Sequence, residues 1–86
     1  MAYSVSFEVG LEKELRKLYK RDRLLYDRIE RKVNELLENP RAGKPMENIL
    51  KGSWRVHVGH FVLMYVIDEP NRVVRFYKFE HHDRAY

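Results

Sequence analysis

The sequence predicts an α+β fold in the order β-α-α-β-β-β, with an N-terminal helical hairpin packed on one face of an antiparallel four-stranded sheet. Three observations predict it. The apolar period is helical through Leu36 and becomes a strand period of two from Trp54 onward. The two helical stretches are joined by a short link, with Asp22 as the expected N-cap of the second, which should form an antiparallel hairpin. Each later strand is bounded by a short turn rich in Gly, Asp, Pro or Asn. At 86 residues, 44% of them hydrophobic, the chain suits one domain, residues 1–86, with a small core.

The elements follow in order. Tyr3 to Phe7 alternates apolar and polar, so it reads as a strand with one buried face. Leu11, Leu15 and Leu18 recur at i, i+4 and i+7 and mark the first helix, whose outer face carries Glu12, Lys13, Arg16, Lys17 and Lys20. Asp22 is the expected N-cap of the second helix, where Leu25, Ile29, Val33 and Leu36 form one stripe. Glu38-Asn39-Pro40 ends it, because the residue before proline avoids the helical region. Residues 41–53 read as a loop with an apolar touch at Met46 and Ile49-Leu50. Trp54 to Val58 and Phe61 to Ile67 are strands joined at Gly59-His60, and Asp68 to Asn71 turns into a last strand, Val73 to Phe79. A polar tail, Glu80 to Tyr86, closes the chain.

Composition narrows the chemistry. There is no cysteine, which excludes a disulfide framework, a thiolate nucleophile and a zinc site built on sulfur. No stretch has the order of a signal peptide, and the longest apolar run, Phe61 to Ile67, is too short to span a bilayer, so a cytoplasmic protein with no membrane partner is expected. The net charge of +4 is unevenly spread. Nine basic and eight acidic residues precede Arg41, whereas eight basic and five acidic residues, with all four histidines, lie from Arg41 onward. A positive surplus of this kind suits a phosphate-rich partner.

Alternation on the hairpin says which side chains are available. Trp54, Val56 and Val58 share one face, and Arg55 and His57 share the other. The apolar face has to meet the helices, which leaves Arg55 and His57 on the open face together with Val62, Met64 and Val66. The tail brings His81, His82, Arg84 and Tyr86 near if the last strand completes the sheet. Arginine clamps phosphate through paired hydrogen bonds, histidine transfers protons near neutral pH, and tyrosine stacks on bases.

These residues carry a family resemblance over essentially the whole chain. Trp54-Arg55-Val56-His57-Val58-Gly59-His60-Phe61-Val62-Leu63-Met64-Tyr65 resembles the strand-turn-strand segment W-R-[IVL]-R-V-G-D-Y-R-[VIL]-[LIV]-Y of RelE/ParE-type toxins. The ending His81-His82-Asp83-Arg84-Ala85-Tyr86 is similar to their H-R-R-x-x-Y. The helix pair ending in Glu-Asn-Pro and the Gly-Lys-Pro and Leu-Lys-Gly approach to Trp54 fit as well. The resemblance implies a toxin held inactive by a small RelB-like antitoxin in a hetero-oligomer. RelE-like members enter the ribosomal A site and cut mRNA without a cofactor or metal, and ParE-like members inhibit DNA gyrase. Carried over position by position, it implies Arg55, His57, His82, Arg84 and Tyr86 as catalytic residues. Four positions depart from the pattern: Val62 replaces an arginine that steadies the transition-state phosphate, His60 replaces the turn aspartate, His57 stands where a second Lys or Arg is usual, and His82 stands at the tail arginine position. Loss of one such contact costs about 3 kcal/mol, or ~100-fold in rate.

Lys44, Lys51 and His81 are the expected RNA-binding residues beside that site. The basic residues between Lys13 and Arg31 read instead as a solvated helical face paired with Glu12, Asp27 and Glu35. The first expectation for function is a ribosome-dependent mRNA endoribonuclease. The alternative is a non-catalytic, ParE-like gyrase inhibitor, or an attenuated toxin that mainly binds its antitoxin, which Val62 and the missing tail arginine favour.

Overall fold

The computed structural model describes residues 2–47 and 50–84, with the backbone alone at Arg84. Strand β1 (Ser4–Phe7) leads into helix α1 (Val9–Arg21), and helix α2 (Arg23–Glu38) follows immediately. Asp22 makes the reversal by serving both helices. Its backbone N–H donates to the Leu18 carbonyl, while its carboxylate accepts from the Leu25 N–H at 3.1 Å. A 3-10 turn at Pro40–Ala42 leads to β2 (Lys44–Pro45), then β3 (Ser53–Val58), β4 (Phe61–Asp68) and β5 (Val73–His81), and a second 3-10 turn spans His82–Arg84.

The α+β arrangement agrees with the sequence reading, with two differences in the sheet. It has five strands, ordered β1-β5-β4-β3-β2, where four were expected. The extra strand, β2, is two residues long and pairs Lys44 with Arg55 and Pro45 with Trp54. Proline has no N–H to give a central ladder, so it belongs on an edge like this one. The sheet is also mixed rather than wholly antiparallel, because β1 runs parallel to β5, Ser4 opposite Val73 through Phe7 opposite Phe76. The connection between this parallel pair is long, as such a pair requires, and runs through both helices and then β2, β3 and β4.

The helices cover one face. Leu11, Leu15 and Leu18 of α1 and Ile29, Val33 and Leu36 of α2 pack on Val58, Leu63, Tyr65, Val74, Phe76 and Phe79, with Trp54 and Val56 half-buried beside them. Tyr65 is fully buried, and its hydroxyl donates to the Pro40 carbonyl at 2.6 Å, tying the loop after α2 to the middle of β4. Gly43 makes room for that contact. A Cβ there would collide with the Tyr65 hydroxyl and lie 2.6 Å from the Arg55 carbonyl oxygen.

The other face is not bare. Val62 and Met64 are buried with Met46, and Tyr77 packs against them. Met46 is fixed by its N–H, which donates to the Ser53 carbonyl at 2.8 Å. A register shift at Met64/Tyr65 leaves Tyr77 opposite no β4 residue, and its hydroxyl reaches Ser53 Oγ at 3.0 Å. Of the loop's expected apolar touch, Met46 forms this second small core and Leu50 is exposed, while Ile49 lies outside the described residues.

Candidate functional site

The strand alternation places the site. Trp54, Val56 and Val58 pack against the helical core, and Arg55 and His57 project to the opposite face, as the hairpin pattern requires. Cross-strand register then sets the rows: His57 faces Val62, which faces Glu80, and Arg55 faces Met64, which faces Lys78. Lys44 lies across from Arg55 on the other side.

The tail turns back over this surface. The His82 N–H donates to the His60 carbonyl at 2.9 Å, which ties the end of β5 to the β3–β4 turn. Two imidazole pairs result. His57 and His82 have ring centroids 5.2 Å apart, and His60 and His81 stack at 6.4 Å, with Phe61 edge-on to His81 at 5.5 Å. All four histidines of the chain thus gather at one end of the sheet. Asp83 stands 3.7 Å from Nδ1 of His81 and 3.9 Å from Nδ1 of His82.

Electrostatics distinguish His57. Loss of hydration around its ring, then the neighbouring His82, Arg55 and Lys44, push its pKa below the ordinary histidine value. A His57 that stays neutral at pH 7 is a proton acceptor.

Arg55 is half-buried, and its Nη1 lies 3.5 Å from the Met46 sulfur, so its surroundings are tighter than an open strand face would give. Val62 is fully buried beneath this layer. Lys44, Lys51 and His81 are exposed, and Lys51 sits in the turn before β3, away from the histidine pairs in sequence and in strand register. The side chain of Arg84 and all of Tyr86 lie outside the described residues, so neither enters the geometry. Among the described residues, no group of three or more His, Asp or Glu side chains is placed to hold a metal ion. No helix among them is long and apolar enough to cross a membrane.

Sequence reasoning missed Met46 as the residue against the Arg55 guanidinium. The signal available was the alternation of Val62 and Met64, which puts two apolar side chains on the face opposite the helices and calls for a cover.

Known proteins are similar to this chain in sequence and in fold. The family model described as the ParE toxin of the type II toxin-antitoxin system parDE matches residues 5–86. A Methanocaldococcus jannaschii protein named "Putative toxin RelE4" is 38% identical over 85 residues, covering 98% of this chain and 90% of that protein. The solved toxin-antitoxin complex RelBE2 from Mycobacterium tuberculosis contains a chain that superposes with a TM-score of 0.77 at 29% identity, over 94% of this chain and 99% of that one. The isolated E. coli RelE toxin shares the fold with a TM-score of 0.79 at 24% identity, over 98% and 88% of the two chains. A family model matched over residues 5–86 and a relative 38% identical over nearly the whole chain show that the chain belongs to the RelE/ParE superfamily of type II toxin-antitoxin toxins.

Proposed function

We propose that this toxin is an mRNA endoribonuclease that acts on translated message at the ribosome, in the cytoplasm, and that a RelB-like antitoxin silences it by complex formation. The pairing of His57 with His82 at 5.2 Å, beside the cations Arg55 and Lys44, carries this reading. His57, neutral at pH 7, takes the proton of a ribose 2′-hydroxyl as that oxygen attacks the adjacent phosphorus. The bond from phosphorus to the 5′-oxygen breaks, and His82 gives that oxygen a proton. The products are a 2′,3′-cyclic phosphate and a free 5′-hydroxyl. The nucleophile is internal to the substrate, so positioning supplies much of the rate and no metal is invoked. Arg55 balances the phosphate charge, Arg84 adds to it, and Tyr86 stacks on a base beside the scissile bond. Lys44, Lys51 and His81 hold the flanking RNA. The antitoxin partner is supported by the M. tuberculosis relative, which was solved as a toxin-antitoxin complex.

Expression of the chain should arrest translation, with ribosome-dependent cuts in message mapped by primer extension. His57→Gln and His82→Gln should each slow cutting roughly 100-fold, within the range of single general acid-base groups. Intact message under strong expression would overturn the reading.

A second reading rests on Val62, the buried residue that replaces the family arginine. It makes the chain a non-catalytic inhibitor of DNA gyrase, or an attenuated toxin that chiefly binds its antitoxin. DNA-damage signals with intact message would select the gyrase inhibitor.

A further inference from the structure

Helix α2 carries a second stripe beside its apolar one. Arg28, Arg31, Lys32 and Glu35 stand at i, i+3, i+4 and i+7, so they share one line along the helix. The fold sets this line against the β3–β4 turn, where it and His57 together line a concavity of about 300 Å³. Arg28 reaches over the turn itself: a Cβ built on Gly59 would lie 3.7 Å from its Nη1.

This stripe differs from the other helical cations in its place beside His57 rather than in its ion pairing, since among the described residues Lys13, Lys17, Lys20 and Arg21 of α1 also have no acidic partner within ion-pair distance. Arg16 is bonded to Glu12 at 3.2 Å and Arg23 to Asp27 at 3.0 Å, the solvated i,i+4 pairs that the sequence suggests. Lys32 is 3.6 Å from Glu35. Arg28 and Arg31 are exposed, and among the described residues neither has an acidic partner within ion-pair distance. Two unneutralised guanidinium groups therefore face the edge of the histidine site, and the cations Lys44 and Arg55 lie beyond the neutral His57.

We infer that the Arg28–Arg31 ridge of α2 is a phosphate track that holds the backbone of single-stranded RNA as it leaves the histidine site. Guanidinium groups spaced along a helix contact successive phosphates without reading bases, which fixes register on the site rather than sequence. The inference rests on RNA being the substrate, and it goes beyond that reading by assigning a binding surface on a helix outside the cleavage residues.

The test measures binding and cutting separately. Binding of a fully 2′-O-methylated single-stranded RNA, which lacks the attacking hydroxyl, is followed by fluorescence anisotropy across a salt series. The variant is Arg28→Gln/Arg31→Gln, and the control is Lys17→Gln/Lys20→Gln, which removes the same charge from α1, where both lysines line a different concavity. Loss of the ridge should weaken binding roughly ten-fold and make the log–log salt slope shallower by about 1.4, since each single-strand phosphate contact contributes about 0.7. The control should leave that slope within about 0.3 of wild type. Equal effects of both pairs, no effect of the ridge pair, or tighter binding of duplex DNA than of the RNA would overturn the track. If the wild type binds through the ridge but leaves translated message intact, the nuclease reading falls and the track stands. If the ridge variant cuts message at the wild-type rate, the track falls and the nuclease reading stands.

Discussion

His57 is the residue whose surroundings speak most directly to chemistry. Dehydration of its ring, and then the charges of His82, Arg55 and Lys44, oppose its protonation in the folded chain, whereas the unfolded chain lacks all of them. The consequence for stability has a definite sign. Well above the ordinary histidine pKa, both states are neutral and His57 contributes nothing to the pH dependence. As pH falls through that value, the unfolded chain takes the proton first and stability is lost, until pH passes the lowered folded value. A proton NMR titration should find His57 below the ordinary range, moving back toward it in His82→Gln. An unshifted His57 in the wild type would remove the basis for treating it as the base. The sequence showed that a polar residue stands at 57 and shares a face with Arg55. It did not show the ring packed against His82, because that contact joins residues 25 positions apart across an intervening strand.

At the scale of elements, β4 decides how open the site is. Its outward residues Val62 and Met64 are apolar, and the segment after β2 lays Met46 over them. Apolar surface on a sheet face is stabilised by whatever chain can reach it, and here the loop between the helices and the hairpin is within reach. Restoring the family residue by Val62→Arg therefore places a guanidinium in a fully buried position rather than in a groove. The expected cost is at least roughly 3 kcal/mol, the scale of an uncompensated buried charge, read as a lowered denaturant midpoint. A variant as stable as the wild type would mean that Met46 moves aside, and cutting of message should then rise rather than fall. The sequence placed Val62 and Met64 on this face correctly. Its loop between 41 and 53 hid β2, since two residues carry no period, and Lys44-Pro45 becomes a strand only by pairing with Trp54 and Arg55.

Across the whole molecule, one buried phenol couples the helical layer, the loop and the sheet. Tyr65 is fully buried, touches the core through Trp54 and Phe76, and donates to Pro40 at 2.6 Å. Burial, the larger influence, pushes its pKa up to about 12 despite the opposing hydrogen bond at Gly43. In the unfolded chain it returns to the ordinary value near 10, so stability falls as pH rises from there toward the folded value. Tyrosinate absorbance should show Tyr65 ionising together with cooperative unfolding, while Tyr65→Phe removes that coupling and costs about 1–2 kcal/mol at neutral pH by leaving the Pro40 carbonyl unsatisfied. Ionisation of every tyrosine before any loss of ellipticity would contradict this.

Local physics was enough for much of this protein. Helical and strand periods, the Asp22 cap, the proline stop and the Gly59 turn are encoded within a few residues of one another, and so is the division of the hairpin into a Trp54 face and an Arg55 face. Contacts between distant segments were decided only by the tertiary structure: β1 lying parallel to β5, Met46 covering Val62, His57 meeting His82, and Arg28 leaning over Gly59 toward the same site. Each depends on how the helical hairpin returns the chain across the sheet, and on which residues then compete to bury apolar surface or meet charge. No pattern read along the chain contains that competition.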